Sequence, residues 1–326
     1  MRYIRQIIFS EIGKKGQEKL SKSAVAIVGL GALGSVSADL MARAGIEKLI
    51  LIDRDIVEIS NLQRQSLFDE SDVGKPKALA AREKLRKINS NIQINFFIDN
   101  MNFGNVGKLL NKIDLILDCT DNLETRFLIN DFSIKNKIPF IYASAVGSKG
   151  YIFNIIPNKN NPCLRCFLKE AAQLETCETA GVLNSITNLI SSVQANESIK
   201  ILLNKDYEKN LLFFDVWKNE LMKIKVKKNR NCTCCIKNNF EYLSGKKSSR
   251  IIKMCGNDMF QIKIKSMEKQ QFDNLKNKLK KIGKILDFNY CINFDNKITI
   301  FRDGRALIKA KDEKEAKSLY SKFVGN

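Results

Sequence analysis

The chain has 326 residues, a formal charge of +20, nine cysteines and no histidine. The missing imidazole excludes His-based triads, His general bases and His metal ligands. An odd cysteine count with two C-x-x-C pairs and no signal peptide predicts a reducing cytoplasm and metal binding rather than disulfides, and no apolar run is long enough to span a membrane. The length suits one large or two medium domains. The basic excess reads first as a Lys-rich solvated surface, and functionally as attraction to an acidic small protein, a nucleotide or RNA. No basic arm with interleaved aromatics is visible, so nucleic acid is not an expected partner.

Arg2-Tyr3-Ile4-Arg5-Gln6 opens the chain before a short helical stretch over 14–20; alone, Arg5 is an ordinary exposed charge. The apolar run at 24–28 predicts a buried strand. Gly29-Leu30-Gly31-Ala32-Leu33-Gly34 matches G-x-G-x-x-G, a helix over 35–44 closes at Gly45, and a second strand over 48–52 ends at Asp53. This is a βαβ unit for an adenine nucleotide. Gly29, Gly31 and Gly34 permit close approach of backbone to phosphate, Gly31 and Ala32 meet the nucleotide through backbone, and the helix N-terminus faces it. Asp53 lies where a carboxylate holds ribose hydroxyls. Up to this point a nicotinamide-dependent oxidoreductase would look the same.

The next stretch departs from that pattern. Asp53-Arg54-Asp55 leads into Glu58-Ile59-Ser60-Asn61-Leu62-Gln63-Arg64-Gln65, then Val73-Gly74-Lys75-Pro76-Lys77. A dinucleotide has no need of Asn61, Arg64 and Lys77 after the second strand. A triphosphate attacked at its α-phosphorus does, because charge must be neutralised along the departing pyrophosphate. These motifs closely resemble the ThiF/MoeB/HesA enzymes, prokaryotic relatives of ubiquitin-activating enzymes, and the resemblance covers roughly residues 2–235. It implies that Arg5 reaches the nucleotide phosphates across a dimer interface, and hence a homodimer.

Further along, 74–88 reads as a helix with Ala78, Ala81, Leu85 and Ile88 on one face. Lys77 in its first turn opposes the helix dipole, so an anion should compensate it. A strand is expected at 92–97. Asp114 to Asn122 is an apolar strand ending in a polar cluster, where ligands bind in open α/β sheets. Asp121 suits Mg²⁺; the plainer reading is that Asp121 and Asn122 cap the following helix. The resemblance extends to this Asp-x-Thr-Asp-Asn pattern with its Thr125-Arg126. Cys119 reads as core, and strands follow at 139–145 and 151–156.

Cys163-Leu164-Arg165-Cys166 and Cys232-Thr233-Cys234-Cys235 are two hooks suited to one Cys₄ zinc site that staples the fold. Cys163, Cys166, Cys232 and Cys235 have the spacing; Cys234 is a further thiol able to replace one of the second pair. Cys177 precedes Gly181-Val182-Leu183, and the resemblance implies a part in thioester or acyl-disulfide transfer but none in adenylation; otherwise it is a surface thiol. A long helix is expected over 184–203. The resemblance makes residues 1–240 the expected adenylating domain; 241–249 reads as a polar linker, and 250–326 as a small α+β domain of β-α-β-β-α order with no assigned activity.

The expected fold is therefore α/β, a Rossmann-like, mostly parallel sheet with a zinc staple and a small α+β tail. The resemblance implies an ATP- and Mg²⁺-dependent adenylyltransferase that activates the C-terminal carboxylate of a ubiquitin-like sulfur carrier ending in Gly-Gly. A short peptide substrate, as in microcin-type relatives, is the alternative within the family. A nicotinamide-dependent oxidoreductase and a zinc-stapled RNA-binding module are the readings from other classes.

Overall fold

The computed structural model describes residues 2–169, 180–247, 252–253, 259–262, 267–295 and 297–325. The chain divides into two compact units, residues 1–73 with 77–248, and residues 74–76 with 249–326.

The first unit is built on one sheet of eight strands: β1 (Ala24–Val28), β2 (Lys48–Ile52), β3 (Gln93–Phe97), β4 (Leu115–Asp118), β5 (Phe140–Val146), β6 (Lys149–Ile155), β7 (Leu211–Asp215) and β8 (Glu220–Ile224). Their spatial order is β3-β2-β1-β4-β5-β6-β7-β8, parallel through β5 and antiparallel beyond. The helices are α1 (Ile4–Ile8), α2 (Gly13–Leu20), α3 (Ala32–Ala44), α4 (Lys77–Ile88), α5 (Val106–Leu109), α6 (Leu123–Asn136) and α7 (Asn184–Leu202).

The central strands are continuous apolar runs because both faces are covered. Val25, Ile27, Leu49, Leu51, Leu115 and Leu117 face the side packed by α3, α4 and α7. Their alternates Ala26, Val28, Ile50, Ile52 and Ile116 face α5, α6 and the cysteine hooks. From β1 the chain builds outward to β3, then returns to place β4 on the other flank of β1. That reversal opens a crevice beyond the carboxyl ends of β1 and β4, the place where open α/β sheets bind ligands.

The helix expected from residue 74 begins at Lys77. Gly74 is left-handed at φ +87° and Pro76 disfavours helical geometry in the residue before it, so the first turn cannot form earlier.

The second unit is a six-stranded antiparallel sheet of order β11-β12-β13-β14-β10-β9, made of β9 (Ile252–Lys253), β10 (Met259–Ile262), β11 (Ile285–Asp287), β12 (Cys291–Phe294), β13 (Ile298–Phe301) and β14 (Ala306–Lys309). Two helices, Lys269–Lys280 and Glu313–Phe323, supply Phe272, Leu279, Ala316 and Tyr320 to its core. A turn at 302–304 leads into a full strand, β14, which with β9 and β11 extends the sheet beyond the expected β-α-β-β-α order.

Candidate active site and metal centre

The glycine loop has three distinct backbone demands. Gly29 sits at φ +85°, and a Cβ there would stand 2.7 Å from the Cys119 carbonyl oxygen. A Cβ on Gly34 would fall 1.8 Å from the Gly29 oxygen, so only glycine lets α3 pack onto the end of β1. Gly31 differs. Its φ is −75°, and the nearest protein atom to an added Cβ would be the Gln65 Nε2, at 3.9 Å. The fold does not demand glycine there; the space is open for a group that the chain does not supply. The first-turn N–H groups of α3, unpaired within the helix, point into that space and favour an anion.

Asp53 ends β2 and is buried. Its Oδ2 accepts the Leu30 N–H at 2.6 Å and its Oδ1 the Asp55 N–H at 2.7 Å, so the carboxylate itself shapes the glycine loop. Each oxygen keeps further acceptor capacity for a hydroxyl. Asn61 is buried in a single 3-10 turn and accepts the Glu58 N–H. Arg64, half-buried, donates to the Ser60 carbonyl at 2.9 Å. Lys77 is only 7% exposed, and its ammonium lies 3.7 Å from the Asp55 carboxylate. Asp55 is the anion that the first-turn lysine requires. Burial pushes the Asp55 carboxyl above its ordinary range, against the pull of Lys77.

At the end of β4 the capping question resolves. Asn122, not Asp121, caps α6, accepting the Thr125 N–H at 2.8 Å. Asp121 is left exposed at the strand end, one carboxylate of the kind Mg²⁺ takes together with phosphate oxygens and water. Behind it, Asp118 is fully buried and accepts both the Thr120 N–H and hydroxyl. Arg126 donates to the Thr120 carbonyl at 2.5 Å and the Ala143 carbonyl at 3.3 Å, and lies over the Tyr142 ring. Its Nε stands 3.9 Å from the Asp118 Oδ2. Burial raises the Asp118 carboxyl, opposed chiefly by Arg126. Cys119 is buried with its thiol on Gln194, as core.

The four hook thiols all lie within 4.8 Å of one another. Adjacent Sγ pairs are 3.9 Å (Cys163–Cys166), 3.6 Å (Cys163–Cys232) and 3.6 Å (Cys166–Cys235) apart. A zinc–sulfur bond of about 2.3 Å gives a tetrahedral edge of about 3.8 Å, so the donor set fits zinc. Cys234 stays out of the cluster. It is buried and accepts the Asn130 side-chain amide at 3.2 Å, while the Asn130 oxygen takes the Leu164 N–H. Arg165, between the first two thiols, bonds Glu241 at 2.6 Å and Asp131 at 3.4 Å and lies over the Tyr242 ring. These contacts fasten both hooks to α6.

The N-terminal segment lies elsewhere. The Gln6 amide donates to the Ala44 carbonyl and the Tyr3 hydroxyl accepts from Asn89. Both contacts are beyond the C-terminal ends of α3 and α4, whereas the glycine loop is at the start of α3. Thirteen helical residues separate the two by about 20 Å. Arg5 is exposed there, away from its own chain's crevice. Cys177 lies outside the described residues. Just after it, Gly147 pairs with Gly181 and Leu183, and Gln63 donates to the Val182 carbonyl.

The structure thus brings Gly29, Gly31, Ala32, Gly34, Asp53, Asn61, Lys77, Asp121 and Asn122 to the strand ends around one crevice, with Arg64 beside them. Asp55 and Gln65 join them without having been given a role, as does the Asp118–Arg126 pair, which the sequence showed only as part of the Asp-x-Thr-Asp-Asn and Thr-Arg pattern. Their signal was weak: Asp55 reads as a repeat of Asp53, and Asp118 as the polar end of a strand.

The ThiF family model matches residues 3–235. A sulfur carrier protein ThiS adenylyltransferase of Bacillus subtilis is 37% identical over an alignment of 335 positions that covers 99% of each chain. An adenylyltransferase and sulfurtransferase MOCS3 of Culex quinquefasciatus is 38% identical over 243 residues, 73% of this chain and 55% of that one; the chain spans about half of that relative's length. Among solved structures, E. coli MccB with MccA-N7isoASN superposes with a TM-score of 0.65 at 23% identity, over 72% of this chain and 75% of that one, a likeness of fold.

Proposed function

The chain belongs to the ThiF family, and on that premise we propose that it adenylates the C-terminal carboxylate of a ubiquitin-like sulfur-carrier protein. The observation that carries this reading is the open space over Gly31, at strand ends that also carry a buried lysine, a buried aspartate and an exposed carboxylate. The carrier carboxylate attacks the α-phosphorus of ATP and pyrophosphate leaves. The nucleophile is already ionised at neutral pH, so a chain without histidine lacks nothing. Catalysis rests on alignment and charge.

Asp53 holds the ribose and Gly31 and Ala32 meet the phosphates through backbone N–H groups. Asn61, Arg64 and Lys77 carry the negative charge of the departing pyrophosphate. Asp121 would hold Mg²⁺, which supplies further neutralisation of the phosphates when bound. Arg5 reaches the site of a second copy in a homodimer; its place at the far end of α3 supports this, as do the exposed Ile4, Ile8 and Phe9 around it. Cys177 handles the activated acyl group after adenylation. Zinc on Cys163, Cys166, Cys232 and Cys235 is structural. Seven cysteines are free among the described residues, and no described helix is long and apolar enough to cross a membrane; we assign the protein to the cytoplasm. The carrier ends in Gly-Gly.

Exchange of labelled pyrophosphate into ATP, dependent on a Gly-Gly-ended carrier, tests the reading. Asp121→Ala and Arg64→Ala should each lose roughly two or more orders of magnitude with the fold intact by circular dichroism. Normal exchange in either variant overturns that residue's role, and no exchange with any carrier overturns the function.

A further inference from the structure

Gln65 is a buried amide in the crevice with nothing to bind. It is 3% exposed, and its Oε1 has no hydrogen-bond partner among the described residues. A buried amide oxygen left unpaired costs free energy unless a ligand satisfies it. Its position is fixed by backbone: the Gln65 N–H donates to the Asn61 carbonyl, its carbonyl accepts from Phe68, and Leu67 and Phe68 are in the core. Its Nε2 stands over Gly31, 3.9 Å from where a Cβ would be. The amide nitrogen therefore looks onto the space at the start of α3, with the buried Oε1 on the same carboxamide.

We propose that Gln65 aligns the two reactants: its Nε2 donates to the α-phosphate and its Oε1 accepts the N–H of the carrier's last peptide bond. This rests on the adenylation reading. The two ends of the amide want different partners. Phosphate oxygens accept only, so they match Nε2 and leave Oε1 unserved. Oε1 needs a donor adjacent to the phosphorus under attack. The attacking carboxylate belongs to a residue whose own N–H is two bonds from the carboxyl carbon, and that is the donor the reaction delivers there. A residue that holds nucleophile and electrophile together lowers the barrier through orientation. The chain's other proposed phosphate ligands are cations, backbone N–H groups and Asn61, whose Oδ1 already accepts the Glu58 N–H.

The test is a double-substitution cycle. A semisynthetic carrier carrying N-methylglycine as its last residue lacks that N–H. With the wild-type enzyme this carrier should lose about tenfold in kcat/KM for pyrophosphate exchange, the worth of one hydrogen bond. Gln65→Ala should lose at least as much with the normal carrier and show no further loss with the N-methyl carrier. A variant weakened only through its fold would lose the same factor again on the modified carrier; such additivity overturns the proposal. Gln65→Glu is the second variant, close in shape and used if Gln65→Ala melts early. It keeps the acceptor and turns the donor into an anion, so the KM for ATP should rise about tenfold or more while discrimination against the N-methyl carrier persists. An unchanged KM for ATP, or lost discrimination, overturns it. Failure of the wild-type enzyme to support exchange with the normal carrier would instead refute the adenylation reading, so the two failures are distinct.

Discussion

The ammonium of Lys77 lies 3.7 Å from the carboxylate of Asp55, and the Lys77 N–H is bonded to the Asp55 carbonyl at 2.9 Å. The pair holds a buried cation at the start of α4 against the helix dipole, beside a carboxylate that is itself half-buried. On the proposed reading, a triphosphate would meet a charge already buried and positioned. Lys77→Ala should lower pyrophosphate exchange by roughly two orders of magnitude. Lys77→Arg should not restore it, because a site shaped for a compact point charge does not admit a planar fork. Steady-state kinetics of both variants decides this.

Purified protein should hold about one zinc per chain, on Cys163, Cys166, Cys232 and Cys235. Cys163→Ser and Cys232→Ser should both lower zinc content and melting temperature. Cys234→Ser should keep the metal, since that thiol is tied to Asn130. Native mass spectrometry of the three variants separates these outcomes.

Arg5→Ala and Lys77→Ala should each be inactive as homodimers. When the two are mixed and allowed to exchange subunits, a mixed dimer has one site with both side chains intact. Activity should return to about a quarter of wild type if the dimer is two-fold symmetric. No recovery would mean that Arg5 does not act across the interface.

Lys84 pairs with Asp69 and, at 3.0 Å, with Asp72. The hydrogen bond from Lys84, with those from Ser71, holds the exposed Asp69 carboxyl down at about 2, against an ordinary value of about 4. A depressed carboxylate binds fewer protons in the folded state, so its contribution is present above the ordinary value and is lost as pH falls toward about 2. Lys84→Met should melt lower than wild type at pH 7, with the difference closing at about pH 2. Thermal melts across that range check the sign.

Cys177→Ala should keep pyrophosphate exchange within a few-fold of wild type, because adenylation uses a carboxylate, ATP and cations but no thiol. It should lose any reductant-sensitive adduct with the carrier, read as a mass shift. Collapse of exchange in a folded variant would assign Cys177 to the nucleotide site.

Local chemistry made much of this legible. The runs at 24–28 and 48–52 became β1 and β2 at those residues, since apolar strands bounded by glycine and aspartate leave few alternatives. Cys₄ spacing likewise specified its own cluster. What escaped depends on contacts distant in sequence. β7 pairs with β6 far from it in sequence, and β8 is an exposed edge whose residues show no inward face. Tyr242, in the stretch read as a polar linker, is buried on Phe127 and Arg165; nothing in its neighbours announces that. Arg5 reads from its own neighbours as a plain surface charge, and it is exposed near the far end of α3.

Arg126 joins the Thr120 carbonyl, the Ala143 carbonyl and the Tyr142 ring through one planar group. The turn that presents Asp121 is thereby fastened to the central strand β5, not to a surface loop. Backbone amides there should exchange with solvent hydrogen only when the sheet itself opens, so the turn shares the slow opening of the core. Heating should then leave the carboxylate in register until the whole unit melts, and activity should fall in one cooperative step with no earlier decline from a fraying site.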